Sequence, residues 1–125
     1  MRPLGYALAV FIGLAGSHDA AAAVCGDDAT QRDLNACADQ DFRAADARLN
    51  DTYRQLVASL RDRPDMVVML TKAERAWVSF RDAECAFAGS EFEGGTMQPM
   101  AISGCLAQVT TEREKMLRVD LSRPK

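Results

Sequence analysis

The chain has 125 residues, of which 26% are charged and 48% are hydrophobic, and its formal net charge at pH 7 is -3. This length predicts a single domain with one modest core. The mildly acidic charge argues against nucleic acid as a partner, because phosphate recognition needs a basic surface, and it favours a basic protein partner.

The first 23 residues have the organisation of a secretory signal peptide. A basic start precedes an apolar run from Leu4 to Leu14, and small residues continue to Ala23. The run is shorter than the roughly 20 residues that a membrane-spanning helix needs. Since Val24 precedes Cys25 where a lipoprotein signal requires a small residue, we expect cleavage near Ala23 and no membrane anchor. The alternative is a buried N-terminal helix. The sequence thus predicts a periplasmic or secreted domain over residues 24–125.

The exported domain is expected to have no catalytic residues. The only histidine, His18, lies in the predicted signal peptide, so the base of Ser-His-Asp and Cys-His sites is missing. Carboxylate pairs such as Asp82 with Glu84 are two residues apart, a spacing that directs side chains to different faces of a helix. We therefore expect a protein that is not an enzyme.

Four cysteines follow the predicted cleavage position: Cys25, Cys37, Cys85 and Cys105. An even number of cysteines in an exported chain favours two disulfides. Zinc binding is the alternative, but the cysteines lack C-x-x-C spacing and no histidine accompanies them. The sequence predicts no metal site and no cofactor.

A long amphipathic helix is predicted first in the chain. Thr30, with Asp33 three residues later, is expected to cap its N-terminus in a relative of the capping box. The helix carries apolar residues at intervals of three or four: Leu34, Cys37, Phe42, Ala45, Leu49, Tyr53, Leu56 and Leu60. A tight turn around Pro64 ends it.

Two further helices are predicted after this turn. The inner stripe of the second consists of Met66, Leu70, Ala73, Trp77 and Phe80, continuing to Cys85 or Phe87. We expect both of its aromatic side chains before Cys85 to lie in the core. A glycine-rich block over residues 89–95 predicts a loop. Thr96 is then expected to cap the third helix, with Pro99 in its first turn.

The third helix has a predicted stripe of Ile102, Cys105 or Leu106, Val109, Arg113, and Met116 or Leu117. Three helices with short connections predict an all-α fold, an antiparallel three-helix bundle stapled by two disulfides.

The bundle topology favours one disulfide pairing. Cys85 and Cys105 are almost equally far along the chain from the turn near Gly94, so a helical hairpin brings them together. Cys37 and Cys85 are placed similarly about the first turn, and that pair remains open. We favour Cys25–Cys37 with Cys85–Cys105, each contributing about 2–4 kcal/mol in the loop-entropy model.

Two charged residues flank the inner stripe of the second helix. Arg81 and Asp82 are expected to pair with polar groups of the first helix such as Asp46 or Asn50. We interpret this as a structural bridge between helices rather than a ligand site, because partly buried charges are generally paired.

The loop over residues 91–98 is the candidate partner-binding segment. Phe92 stands between Glu91 and Glu93 among glycines and has no evident packing role. Binding residues concentrate on loops that a rigid scaffold holds in place. An ordinary connector is the alternative interpretation.

Short motifs spread over nearly the whole predicted domain form a specific combination. They are Thr30-Gln31, Asn35-Ala36-Cys37-Ala38, Ala45-Asp46, Leu49-Asn50-Asp51-Thr52-Tyr53 with Leu56, Ala76-Trp77, Phe80-Arg81-Asp82-Ala83-Glu84-Cys85, Cys105, and Thr111-x-Arg113 with Leu117. In these motifs the chain resembles the LprI-like family of lysozyme inhibitors, small exported bacterial proteins. The resemblance implies a helical, disulfide-containing domain and inhibition of lysozyme. Two departures are the absence of a lipoprotein signal and Glu74 where the family has glutamine.

We therefore expect an exported binding protein that inhibits a lysozyme-type glycosidase by protein–protein contact. Lysozymes are typically basic, so an acidic inhibitor gains association rate and complementarity. The alternative is a non-inhibitory stress or scaffolding module that binds another envelope protein or peptidoglycan.

Overall fold

The computed structural model describes residues 23–124, which form three α-helices. Helix α1 covers Gln31–Ser59, α2 covers Pro64–Gly89 and α3 covers Gln98–Ser122, with a 3₁₀ turn at Ser90–Phe92. The all-α prediction is confirmed. The predicted signal peptide lies, apart from its last residue, outside the described residues.

Helix α1 begins with the predicted cap. The Asp33 amide donates to Thr30 Oγ1 at 3.2 Å, and the Thr30 amide donates to Asp33 Oδ2 at 3.0 Å, which completes a capping box. The hydrogen bonds from the hydroxyl and amide of Thr30 lower the pKa of the Asp33 carboxyl. Two otherwise unpaired amides at the helix start are thereby satisfied.

Helix α3 begins later than predicted, and Thr96 is not its cap. Met97, one residue after Thr96, occupies the cap position, and the Gln98 amide donates to the Gly95 carbonyl at 3.3 Å in a turn that directly precedes the helix. Pro99 lies in the first turn as expected, where its missing donor costs nothing. The Thr96 carbonyl instead accepts from Asn35 Nδ2 at 3.0 Å, which joins this loop to α1.

The core lies where the three helices meet. Its buried centre consists of Leu49, Leu56, Leu60 and Leu117, and the partly buried residues Tyr53, Met66, Val67, Leu70, Trp77 and Leu121 surround it. Helix α3 packs closely along α1 and less extensively along α2. Helices α1 and α2 make few direct contacts, and a groove lies between them. Along α2 and α3, contacting residues run in opposite order, with Glu74 against Arg113 and Cys85 bonded to Cys105. This order fits antiparallel neighbours.

The predicted core position of Phe80 is wrong. Its side chain is 58% exposed and Phe87 is 75% exposed, whereas Cys85 is buried. Each residue advances a helix by about 100°. Trp77 lies at the edge of the buried arc, so Arg81, four residues later, falls on its inner side, and Phe80, three residues later, falls outside.

The buried face of α3 is also shifted from the predicted stripe. Thr110, Glu114 and Leu117 are buried, and Met116 is 59% exposed. The predicted alternative Leu117 is therefore the core residue. The two polar residues were missed because apolar periodicity treats threonine and glutamate as surface residues.

Both favoured disulfides are present. Cys25 is bonded to Cys37 and Cys85 to Cys105, with Cα–Cα distances of 6.0 and 5.4 Å, and the described chain contains no free cysteine. The alternative Cys37–Cys85 pairing is excluded. Both bridges lie at the end of the bundle where the loop between α2 and α3 meets the start of α1. None of the helices within residues 23–124 is long and apolar enough to cross a membrane.

Candidate functional site

Arg81 joins α2 to α1 at the centre of the predicted motif. Only 12% of its side chain is exposed, and its guanidinium lies 2.9 Å from Asp82 Oδ1 and 3.7 Å from Asp46 Oδ1. It also stacks over the rings of Phe42, at 5.4 Å, and Trp77, at 5.1 Å. Two carboxylates and two aromatic faces thus surround one cation, an arrangement that compensates its desolvation.

The other motif residues of α1 lie along the groove beside α2. Asn50 Nδ2 donates to Asp46 Oδ2 at 3.1 Å, and the Tyr53 hydroxyl is hydrogen bonded to Thr71 Oγ1 at 3.1 Å. These residues line a groove of about 530 Å³. Because these polar groups are already hydrogen bonded to each other, we interpret them as a structural connection between α1 and α2 rather than as a ligand site.

Glu74, which stands where the family motif has glutamine, has an ion-pair partner on α3. Its Oε1 accepts from Arg113 Nε at 2.7 Å, and the two side chains are 13% and 17% exposed. Its Oε2 is buried and has no hydrogen-bond partner among residues 23–124. Arg113 of the predicted α3 stripe is thus held by an ion pair that crosses between helices.

A second buried carboxylate, which apolar periodicity does not predict, lies between α1 and α3. Glu114 Oε1 accepts from the Thr52 hydroxyl at 2.7 Å and from Arg118 Nη2 at 2.5 Å. Burial raises the pKa of Glu114, but the hydrogen bonds from Thr52 and Arg118 and the positive charge of Arg118 outweigh burial and hold the pKa below its ordinary value of 4.5.

The predicted binding loop is exposed. Glu91, Phe92 and Glu93 all face solvent, and Phe92 is 36% exposed. Gly94 has a positive φ of 75°, and its amide donates to Gln98 Oε1 at 3.3 Å. This conformation favours glycine and reverses the chain after Glu93.

The loop is part of an end of the bundle that carries mostly negative charge. We call this the acidic end and define it as residues 23–41 and 83–105. It contains a single basic side chain, Arg32, against eight carboxylates: Asp27, Asp28, Asp33, Asp39, Asp41, Glu84, Glu91 and Glu93. Both disulfides and the hydrogen bond from Asn35 to Thr96 hold its segments together.

The residues that the structure describes contain no recognisable metal centre. No three histidine, cysteine, aspartate or glutamate side chains within residues 23–124 are grouped to hold an ion.

These features define the protein class as a small three-helix protein with two disulfides and an acidic end. The family model described as lysozyme inhibitor LprI matches residues 22–117, and the chain belongs to this family. It is a family of inhibitors, not of enzymes.

Two relatives resemble the chain over most of its length. A protein of Rhizobium meliloti (strain 1021), described as uncharacterised, is 46% identical over 105 residues, which cover 75% of this chain and 76% of the relative. The crystal structure of a DUF1311 family protein from Pseudomonas putida KT2440 matches with a TM-score of 0.69 and 28% identity, covering 76% of this chain and 97% of that chain. The second match agrees with the three-helix fold described above.

Proposed function

We propose that the chain is an exported inhibitor of a lysozyme-type glycosidase and that it acts by direct protein–protein contact. Membership of the LprI family carries the proposal, since that family is described as lysozyme inhibitor. The two disulfides support export, because such bonds persist in oxidising compartments. Cleavage of the predicted signal peptide near Ala23 leaves a domain of residues 24–125 without a membrane anchor.

The acidic end is the inhibitory surface in this proposal, and Glu91, Phe92 and Glu93 are its contact residues. Within residues 23–124 neither of the two glutamates forms an ion pair, so both are available to a cationic partner. Phe92 is exposed between them and supplies the kind of aromatic anchor that dominates many interfaces. Because the loop is fixed at both sides by the Cys85–Cys105 bridge and by Asn35, little ordering entropy is lost on binding.

Lysis of peptidoglycan by a basic lysozyme, with and without the protein, tests the inhibition. We expect micromolar protein to slow lysis, and unchanged lysis would contradict the proposed function. A pull-down from the periplasm separates inhibition from the scaffolding alternative, since only inhibition predicts a glycosidase as the captured partner.

Paired charge removals test the surface. The double variant Glu91→Gln/Glu93→Gln is expected to raise the half-inhibitory concentration about 3–10-fold at low salt, with a smaller effect at high salt. Phe92→Ala is expected to raise it at least as much. The matched control, Asp62→Asn/Glu112→Gln, removes two exposed carboxylates outside the acidic end and should leave inhibition nearly unchanged. Equal losses in the two double variants would contradict the assigned surface while leaving inhibition itself intact.

The mass of the protein recovered from the periplasm tests the export step. We expect an N-terminus near Val24 and a mass lower by four hydrogen atoms than that of the fully reduced form, two for each disulfide. Retention of Met1 in the recovered protein would contradict cleavage.

A further inference from the structure

The side of α2 that faces away from the core carries a continuous apolar row. We call it the outer stripe, and it consists of Met69, Ala73, Ala76, Phe80, Ala83 and Phe87. All six residues are exposed, with Met69 at 61%, Phe80 at 58% and Phe87 at 75%. The row is about 27 Å long at the helical rise of 1.5 Å per residue.

The spacing of the outer stripe is that of a helix-packing seam. Its residues alternate at intervals of four and three, which keeps every member on one line of an α-helix and matches the a and d positions of a coiled coil. Scattered exposed apolar residues are ordinary, but a contiguous row of this kind marks an interaction surface. At its N-terminal end, Met69 and Ala73 border a groove that Leu56 of α1 also lines, yet both remain exposed. Phe80, Ala83 and Phe87 are exposed as well.

We propose that the outer stripe binds a second copy of this chain and that the two α2 helices pack antiparallel. Side-chain size supports this occupant. About a two-fold axis near residue 78, an antiparallel pairing sets Phe80 against the partner's Ala76 and Met69 against the partner's Phe87. Large side chains then meet small ones at the centre, as close helix packing requires.

Charge favours the same orientation. Between Met69 and Phe87 the exposed charged residues are Lys72 and Arg75 in the N-terminal half and Asp82 and Glu84 in the C-terminal half. The two other charged residues, Glu74 and Arg81, are largely buried and ion-paired. An antiparallel pair sets the basic half of each helix beside the acidic half of the other. A parallel pair would place like charges together and would stack Phe80 on its own copy.

The size of the surface indicates a weak dimer. Each buried phenylalanine contributes about 150–250 Å² of buried surface. In a symmetric dimer each copy contributes two phenylalanines and one methionine of the stripe. The total lies near or below the roughly 1,200 Å² at the lower limit of specific interfaces. We therefore expect dissociation in the micromolar range rather than a permanent dimer.

Sedimentation of the protein obtained by expressing the full chain tests the proposal. Between about 1 and 500 μM, the expected range for so small an interface, the weight-average mass should rise from one protomer towards two. Phe80→Glu should move the midpoint at least tenfold towards higher concentration. Met116→Glu is the matched control, because Met116 is 59% exposed but lies on α3, and it should leave the midpoint unchanged. A single protomer at the highest concentration, or equal shifts in the two variants, would overturn the proposal.

Crosslinking tests the orientation separately, in variants whose circular dichroism matches the parent chain. The Ala73→Cys and Ala83→Cys variants are each treated alone with a short bifunctional maleimide and then treated as a mixture. The antiparallel arrangement separates the two copies of residue 73 by about 15 Å along the helix axis, so crosslinked dimers should form mainly in the mixture. Efficient crosslinking of Ala73→Cys alone, without enhancement in the mixture, would overturn the antiparallel pairing.

Discussion

Glu74 of α2 and Arg113 of α3 form an ion pair at 2.7 Å in a largely buried position between the two helices. One carboxylate oxygen of Glu74 receives the arginine Nε, and the other is buried without a hydrogen-bond partner among residues 23–124. Such a pair is costly to break on one side only, because the remaining charge loses its compensation.

A double-mutant cycle with methionine tests this interdependence. Arg113→Met is expected to lower the free energy of unfolding by about 3 kcal/mol, because it leaves the Glu74 carboxylate unpaired. Glu74→Met should lower the free energy of unfolding by a similar amount, because it leaves the Arg113 guanidinium unpaired. The combined variant should be more stable than either single variant, since neither charge remains buried. Urea unfolding followed by circular dichroism measures all four proteins, and additive losses would contradict the interdependence.

The sequence predicts the fold more completely than the arrangement of polar residues within it. The three helices follow from periodicity. The position of Cys85 and Cys105 about one turn favours the observed disulfide pairing, but the same argument leaves Cys37–Cys85 open. The exposed position of Phe80 did not follow, because periodicity identifies a stripe but not which edge of it the neighbouring helices cover. Glu114 was missed for a related reason, since the hydroxyl that donates to its buried carboxylate belongs to Thr52, a residue 62 positions away.

The sequence predicts the exposed loop that carries the proposed contact residues, but not what holds that loop in place. The sequence favours Glu91, Phe92 and Glu93 as contact residues because they have no evident packing role. It did not predict that Asn35 holds the Thr96 carbonyl and so joins the loop to α1. Contacts between residues distant in sequence depend on the three-dimensional arrangement of the helices, which one sequence does not reveal.

Two glycine substitutions are expected to have opposite effects on stability. A Cβ at Gly89 would collide with Ile102 Cγ1 on α3, whereas a Cβ at Gly104 would meet nothing within 4 Å. Gly89→Ala should therefore lower the free energy of unfolding by about 1–3 kcal/mol through overpacking. Gly104→Ala should raise it by about 0.5–1 kcal/mol, because alanine is the better helix former.

The double variant Gly89→Ala/Ile102→Ala tests the cause of the first effect. Removing the isoleucine side chain relieves the collision, so the penalty of the added methyl group should be smaller in that background. Thermal or urea unfolding measures the four proteins. An equal penalty in both backgrounds would show that the contact with Ile102 is not responsible.

Removal of each disulfide should destabilise the bundle to a different degree. The bridges close chain segments with separations of 12 and 20 residues. Each is expected to contribute about 3 kcal/mol in the loop-entropy model. Cys85→Ala/Cys105→Ala should cost more than Cys25→Ala/Cys37→Ala, because its loop is longer and Cys85 is fully buried whereas Cys25 is exposed. A larger loss of unfolding free energy on removal of Cys25–Cys37 would contradict this order.

The stability of the fold should depend on the ionisation of Glu114. Its pKa in the folded protein lies below the ordinary value of 4.5, because the hydrogen bonds from Thr52 and Arg118 outweigh the cost of burial. A carboxyl with a lowered folded pKa contributes stability that is fully present above its unfolded pKa and is lost as the pH falls through the folded pKa. Glu114→Gln should therefore lower the melting temperature clearly at pH 7 and by a smaller amount at pH 3, below the ordinary pKa of 4.5. Glu112→Gln, which changes an exposed carboxylate on the same helix, is the control and should shift the melting temperature little at either pH. If Glu114→Gln lowered the melting temperature equally at both pH values, packing rather than ionisation of Glu114 would account for its contribution.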